Sequence, residues 1–594
     1  MAEFSRLYLT KAGQQLMKKA ETKNVMNRIF TKAAASSKSY PEDMLEGLAA
    51  LEQVQQYTDV AKITVYGSQV TVETALTNEK LTAGYELGSL GFYADDPDLG
   101  EILYAVCVVI SGSCRMPAYD GSVVYSFYVK LTGATDIASA AVELTENPDH
   151  DAANLQLFLS CSDDDVYGVE VDFVNEIFTR LAGAKGKTPG APFDGIRAYG
   201  GRRRCDLTDD GKVAAYYGDP GFACDGTLTR DITIESGRNA GFYPAGTLVQ
   251  VMVEQPKFYY RMVPLVLELF DEGYAAPSAH LRKARYYVSD DPKPGFKLHP
   301  GFVSDGKVND VIYVSAFEGV IYDSSEKAYI LDDAQIADFE ADVFSSIAHA
   351  KPASGYTQLL TYANTRKLAH NRGPGWEQAL AGPASASQLL MLVEYAYFNL
   401  QNTVGPGVTY KDWGEGNCSE KTGATVGLGN ATGTAENENG EFPVTYRGEE
   451  NLWGNIWEWV DGANAKNPPD FSEGQFGELF IADHGFKECT GEPPYEDTGL
   501  HPCYSSGSYI KAYCYSEKYD WFFVPAEIGG TSDLPVGDFY YNSNPGWRLP
   551  RLCGDWHAIE HSGPFYIDLF REPDFIQRNC GGRLVFLPSA AGKD

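Results

Sequence analysis

Asn451-Leu452-Trp453-Gly454-Asn455-Ile456-Trp457-Glu458-Trp459 is unusually dense in tryptophan. It holds three of the chain's eight tryptophans, and Gly454 lets backbone pass close beside them. The same chemistry returns at Gly546-Trp547-Arg548, Gly554-Asp555-Trp556, Phe565-Tyr566 and Gly581-Gly582-Arg583-Leu584-Val585-Phe586. Taken as residues, these segments are a packed aromatic core joined by glycine turns.

Outward from that core, residues 193–594 carry no repeat and no low-complexity break, and they read as one large domain. A buried helix is predicted from Ser385 to about Thr403. Ser385 and Gln388 would form its capping box, Leu389, Leu390, Leu392, Val393, Ala396 and Leu400 its apolar positions, and Gly405-Pro406 its stop. A shorter helix is predicted near Asn364, ending at Gly373-Pro374. The remainder reads as aromatic strands and glycine-rich loops.

At the other end, residues 1–150 form a separate unit. Thr10 can cap an amphipathic helix through Leu16, Met17 and Ala20, and a second helix is predicted near Pro41 to Gln56. Alternation then takes over at Ile63–Tyr66, Val70–Val72, Ile102–Val106 and Val123–Val129, which predicts strands. Residues 151–192 read as a connector. Val169, Phe173, Val174, Ile177, Phe178 and Leu181 fall at helical spacing, either as a helix packed on its own domain or as a neck between chains. Gly183 to Pro192 reads as a linker. The expected class is α+β: a small α+β N-terminal domain followed by a large C-terminal domain.

Composition narrows the function. A chain of 594 residues is too long for one core, since domains hold ~150 residues each. Hydrophobic residues at 44% and charged residues at 22% mark an ordinary globular chain, and 38 Tyr, 60 Gly and 31 Pro favour strands and turns. The net charge of −33 excludes an extended nucleic-acid surface, and Arg202-Arg203-Arg204 is too short a run to reverse that. Eleven cysteines without a CxxC give no zinc site and no disulfide framework. MAEFSRLYLTKAGQQLMKK lacks the apolar core of a signal peptide, and no run of ~18 apolar residues exists. Synthesis in the cytoplasm without membrane insertion is expected.

Two motifs imitate catalysis. Gly183-Ala184-Lys185-Gly186-Lys187-Thr188 has two residues between its glycines where a P-loop has four, and Pro189 blocks the helix that should follow. His557-Ala558-Ile559-Glu560-His561 is a literal H-x-x-E-H, but Gly554 before it and Ser562-Gly563-Pro564 after it predict a loop, where a zinc peptidase needs a helix. No G-x-S-x-G elbow is present. No cofactor is assigned, and no metal set is named.

Three N-terminal segments, FSRLYLTKAGQQLMKKA, LTAGYELGSLGFYADDPDLGEILYAV and SVVYSFYVKLTGA, resemble the N-terminal domain of phage tail-collar fibre proteins. That resemblance implies attachment to a baseplate or tail tip, usually as a homotrimer. The C-terminal part resembles the C-type-lectin fold in its formylglycine-generating-enzyme-like branch, whose hallmark is close to GNIWEW followed by a terminal GGRLV. It is nearest to the variable proteins diversified by retroelements, on FDGIRAYGGRRRCDLTDDGKVAAYYGDPG, VQVMVEQPKFYYRMV, KPGFKLHPGF, ANTRKLAHNRGPGW and YRGEENLWGNIWEWVDG. The enzyme branch uses two cysteines a few residues apart, whereas Cys553 and Cys580 stand 580 − 553 = 27 apart, so no enzyme is expected.

In that group a rigid frame carries exchangeable side chains, here over about 546–586. The resemblance implies a frame of Trp547, Arg548, Gly554, Trp556, Gly563, Phe565, Tyr566, Leu569, Gly581, Gly582 and Arg583. The positions between them become the candidate ligand-binding residues: Asp555, His557, Ala558, Glu560, His561, Asp568, Phe570, Arg571, Asp574, Phe575 and Gln577, with Ile576 equally able to pack on the frame. Phe570 and Phe575 offer apolar area, Arg571 a planar donor fork, and the Asp and His side chains directional contacts. The expected function is receptor binding at the tip of a phage tail or tail-like particle, to a host bacterial surface protein or glycan. A tail-associated enzyme and a purely structural fibre are the alternatives.

Overall fold

The computed structural model describes residues 3–21, 30–67, 69–119, 121, 124–134, 141–146, 161–270, 278–330 and 335–592. The chain divides into two compact units, Met1–Cys161 with Val263–Arg285, and Ser162–Met262 with Tyr286–Asp594. The chain therefore leaves the second unit after Met262 and re-enters it at Tyr286.

Among the described residues strand makes up 40% and helix 11%, so the protein is β-rich and the expected α+β class is wrong. Three stretches account for the error. Residues 169–181 form a hairpin, Val166–Asp172 with Ile177–Ala182, paired from Tyr167↔Ala182 to Asp172↔Ile177. Asp172 closes it by accepting from the Val174 and Asn175 amides at 3.1 and 2.9 Å, an Asx turn that ends a helix before it starts. Val169, Val171 and Phe173 are buried at a period of two, so the stripe faces its own unit and forms no helical neck. Near Pro41 only one 3-10 segment, Glu42–Gly47, exists, and Val54–Asp59 is a strand with alternating exposure. The long helix runs Ala381–Tyr395, with a separate turn at Leu400–Thr403. It starts four residues before Ser385, so no capping box forms: Ser385 Oγ donates to the Trp521 carbonyl, and Gln388 Nε2 donates to that of Pro564 at 2.7 Å.

In the first unit, Thr10 caps the helix Lys11–Glu21 by accepting from the Gly13 amide at 3.0 Å. A Cβ on Gly13 would lie 2.1 Å from the Tyr104 carbonyl, so only glycine lets the helix sit on the strand Gly100–Ser111. That strand pairs with Ser89–Asp96, which pairs with Phe30–Ser36 and then Val54–Asp59. A second sheet orders Ala141–Glu146, Ser126–Ala134, Gln69–Thr77 and Lys62–Tyr66, and Val266 to Leu269 pair parallel with Ile63 to Tyr66. Val123 lies outside the described residues.

Two larger sheets organise the second unit, beside several of two or three strands. One orders Val213–Tyr216, Arg203–Leu207, Gln250–Pro256, Val311–Ser315, Leu584–Phe586 and Trp376–Gln378. The other centres on Gly546–Leu552, flanked by Ala463–Asn467 and Ile567–Arg571, with Phe539–Asn542, Ser505–Tyr513 and Pro525–Ile528 beyond. Every residue from Ser385 to Glu394 in the long helix is buried. The short helix Tyr362–His370 is capped by Thr361 and starts two residues before Asn364, where it was expected. Arg202 and Arg204 are buried, Arg202 paired with Glu449 and Arg204 bonded to the Gly448 carbonyl at 2.7 Å, so the basic run is no surface patch. Among the described residues no helix is long and apolar enough to cross a membrane.

Candidate functional site: an aromatic and cationic surface on the terminal strands

The motif at 451–459 is the base on which the terminal strands rest. Trp453 donates its indole N–H to the Gly405 carbonyl at 3.0 Å, and Asn455 Nδ2 donates to Glu318 at 2.6 Å. A Cβ on Gly454, whose φ is +83°, would meet the Val408 carbonyl at 2.7 Å. Glu458 ion-pairs with Arg583 of the terminal strand, both buried. Trp457–Trp459 pairs antiparallel with Gly546–Leu552 and parallel with Cys580–Gly581, tying the motif to both ends of the segment 546–586.

Arg551 sits at the centre of this base. Its Nη2 is 2.6 Å from Asp568 Oδ2, and its guanidinium lies 4.5 Å from the centroid of the Trp457 ring. Burial alone would lower the Arg551 pKa, but the Asp568 charge outweighs it and keeps the guanidinium protonated. Asp568 also accepts from the Phe570 amide at 2.7 Å, which sets where the strand Ile567–Arg571 presents its last two residues.

Those two residues face outward. The Arg571 guanidinium lies between Phe570 at 4.7 Å and Phe575 at 4.3 Å, and it reaches within 4.0 Å of Asp568. Burial, and then the neighbouring Arg551 charge, lower its pKa below the usual arginine value. Phe575 also packs edge-on against Trp459, with centroids 6.4 Å apart, so one ring joins the buried core to the surface.

The candidate residues divide by placement. His557, Glu560 and Asp574 are exposed, and His561, Phe570, Arg571, Phe575, Ile576 and Gln577 are half-buried. Asp555, Ala558 and Asp568 are buried. Asp555 accepts from the His557 amide at 2.8 Å and from Asn579, and Ala558 fills the core beside Tyr566. These three position the surface and do not belong to it. Trp547, expected in the buried frame, is instead half-exposed, its ring tilted against Phe480 with centroids 5.6 Å apart.

H-x-x-E-H folds as a 3-10 turn, Ile559–His561. His557 Nδ1 lies 2.7 Å from the Lys411 carbonyl, while His561 stacks at 3.9 Å on Phe539 and burial lowers its pKa. The two imidazoles are thus engaged separately, and among the described residues no group of three His, Cys, Asp or Glu side chains could hold a metal ion. Cys553 and Cys580 are both buried thiols whose pKa burial raises.

The surface also uses residues outside the segment. Half-buried Tyr509 and Tyr541 border Phe539, with centroids at 4.9 and 5.3 Å, and extend the aromatic face from His561 towards Arg571. On the far side of His557, Trp413 lies 5.7 Å from its ring and carries Arg578 at 4.3 Å, and Tyr410 is 60% exposed. Tyr410 and Lys411 also line a polar cavity of about 670 Å³ with Asn417, Glu420, Asn439 and Glu441. Outward positions on the strands Ser505–Tyr513 and Phe539–Asn542 could have found Tyr509 and Tyr541; nothing in the sequence joins Trp413 to residue 557.

No family model matches the chain, and no curated protein matches it.

Proposed function

We propose that the protein is a non-enzymatic receptor-binding protein of a phage tail or tail-like particle, made in the bacterial cytoplasm, that attaches to a bacterial surface ligand through this face. The observation that carries the reading is Arg571, held between two partly exposed phenylalanines above a buried Arg551–Asp568 pair. Aromatic rings and a guanidinium held in fixed geometry lose little freedom on binding, and such residues dominate protein and glycan recognition surfaces. A frame so fully bonded lets displayed side chains change without unfolding, consistent with the resemblance of the segment to exchangeable binding surfaces.

Attachment to the particle through residues 1–150, and assembly as a homotrimer, rest on the resemblance to tail-collar fibres alone, because the hairpin 166–182 supplies no neck. Removing residues 1–150 should give particles that lack the protein. Attachment is tested with the Phe570→Ala/Arg571→Ala double variant: intact particles that no longer adsorb to host cells support the reading. Unchanged adsorption makes the chain a structural fibre, and turnover of purified cell-surface glycan makes it an enzyme.

A further inference from the structure

Glu318 lies between the strands Val311–Ser315 and Gly319–Asp323, against the 451–459 motif, and none of its surface meets solvent. Its Oε2 accepts from Asn455 Nδ2 at 2.6 Å and from Asn451 Nδ2 at 3.1 Å. Its Oε1 has no hydrogen-bond partner among the described residues. The Oδ1 of Asn451, a residue only 1% exposed, has none either.

Both orphaned atoms are acceptors, and they belong to two side chains already joined by one hydrogen bond. A single proton satisfies both. Carried on Glu318 Oε1, it turns that oxygen into a donor and gives Asn451 Oδ1 its partner. A carboxylic acid and a primary amide then close a ring of two hydrogen bonds, Nδ2–H to Oε2 and O–H to Oδ1. Turning the Asn451 amide over would set its oxygen against Glu318 Oε2, so that orientation needs the same proton. The Asn455 amide is fixed independently, because its Oδ1 accepts from the Glu420 amide at 2.6 Å.

The surrounding charges argue the same way. The ionisable groups facing Glu318 are Arg583 of the terminal strand and Glu458 of Trp457–Trp459. Arg583 directs its donors elsewhere, to Glu458, to the Glu450 carbonyl, and to those of Asn451 at 2.9 Å and Ser315 at 3.4 Å. Glu449 also faces Arg583 but is paired with Arg202. Ionised, Glu318 would be a buried anion with no cation of its own and a second carboxylate nearby. Such a group takes up a proton in preference to staying charged.

We propose that Glu318 carries this proton in the folded protein and shares it with Asn451, and that its release at alkaline pH unlocks the 451–459 motif: a pH latch in the base of the terminal strands. On release the proton passes to water and the O–H electron pair stays on Oε1. Both oxygens then lose their partner, and Glu318 and Glu458 repel. Asn451 also gives its carbonyl to Arg583, so the loosening reaches the terminal strand. What the latch does to attachment rests on the reading of the terminal face. The test therefore uses the purified full chain and no receptor.

Glu318→Gln keeps the ring, its Nε2 donating to Asn451 Oδ1, but has no proton to release. Hydrogen exchange followed by mass spectrometry compares it with the wild type at pH 6 and pH 9. The amides of Asn451, Gly454, Asn455 and Trp457 donate to the Val444, Cys553, Val408 and Asn579 carbonyls and report on the motif. They should exchange alike in the two proteins at pH 6. At pH 9 they should exchange about a hundredfold faster in the wild type, a factor of ten for each unit between pH 6 and the value of about 8 to which burial raises Glu318. The strand Gly100–Ser111 should not differ between the two proteins. Infrared difference spectra, wild type minus variant, should show the carbonyl band of a protonated carboxyl at pH 6 that is gone at pH 9. Asn451→Ala removes the acceptor and leaves the acid, so it should shift that band without deleting it. No such band at pH 6, a band unmoved by Asn451→Ala, equal exchange of the motif at pH 9, or an equal change in Gly100–Ser111 would each overturn the proposal.

Discussion

Within the segment 546–586, two sets of side chains a few residues apart do opposite things. Arg551, Trp556 and Asp568 are buried, and Arg551 and Asp568 are bonded to each other. Phe570 and Arg571 at the end of the strand Ile567–Arg571, and Asp574 and Phe575 in the turn that follows, partly or wholly meet solvent. Both sets contain an arginine near Asp568, at 2.6 Å for Arg551 and 4.0 Å for Arg571. The difference is desolvation: the inner arginine needs its carboxylate for the fold, and the outer one can exchange water for a ligand. Residue type therefore does not separate frame from display here, and burial does.

The largest effect is expected for Asp568→Ala. It strips the buried Arg551 of its counter-ion and frees the Phe570 amide, and removing one partner of a buried pair costs ~3–5 kcal/mol. Urea unfolding should show that loss in full. If the midpoint moved as little as it does for an outer residue, Asp568 would belong to the displayed set after all.

Next comes Glu318→Gln, which probes another of the frame's buried carboxylates. Burial pushes Glu318 up to about 8, with Arg583 opposing and Glu458 adding to the shift. The folded state then holds a proton that the unfolded chain releases near a pKa of ~4.3. Stability must therefore fall as pH rises from about 4.5 to about 8, and level off above that. The variant should match the wild type near pH 5 and exceed it near pH 8.5. Parallel stability curves for the two proteins across that range would contradict the assignment.

Phe575→Ala tests the boundary itself, because that ring touches both Trp459 and Arg571. A half-buried ring should cost about 1–2 kcal/mol, between the frame and display values. It should also weaken attachment. A ring that affected only one of the two would shift the line between frame and surface.

The sequence shows the aromatic base well, because Trp, Gly and Arg in W-G-N-I-W-E-W and G-G-R have few uses other than close packing and buried pairing. It shows the strand at 62–66 by its period of two, and that at 100–111 by a short continuous apolar run, Ile102 to Ile110. It misleads where two periods coincide. Val169, Phe173 and Ile177 fit helix spacing, but the Asx turn at Asp172 is a matter of one carboxylate finding two amides, and spacing says nothing of that. The surface is only half legible: Phe570, Arg571 and Phe575 stand together in the chain, whereas Trp413 reaches His557 only through the fold. Asp555 and Asp568 look like display residues by type, and only their buried partners reveal them as supports.

The smallest effect on stability, and the most informative about function, is expected for Arg571→Ala. Its guanidinium makes cation–π contacts with two rings, which at a partly exposed site are worth about 0.5–1 kcal/mol each. Asp568 keeps its ion pair with Arg551, so no buried charge is stranded, and removing a second positive charge beside Arg551 relieves repulsion that offsets part of the loss. The net change in unfolding free energy should therefore stay within ~1 kcal/mol. Adsorption is another matter, since a central arginine at a binding surface commonly contributes ~2 kcal/mol or more, a factor of about 30 in affinity. Arg571→Lys separates charge from shape: it keeps the charge but loses the planar fork that stacks between the rings, so it should restore less than half of the lost adsorption energy. Full recovery with lysine would mean that charge alone draws the ligand, and the stacked geometry between Phe570 and Phe575 would then have no part in recognition.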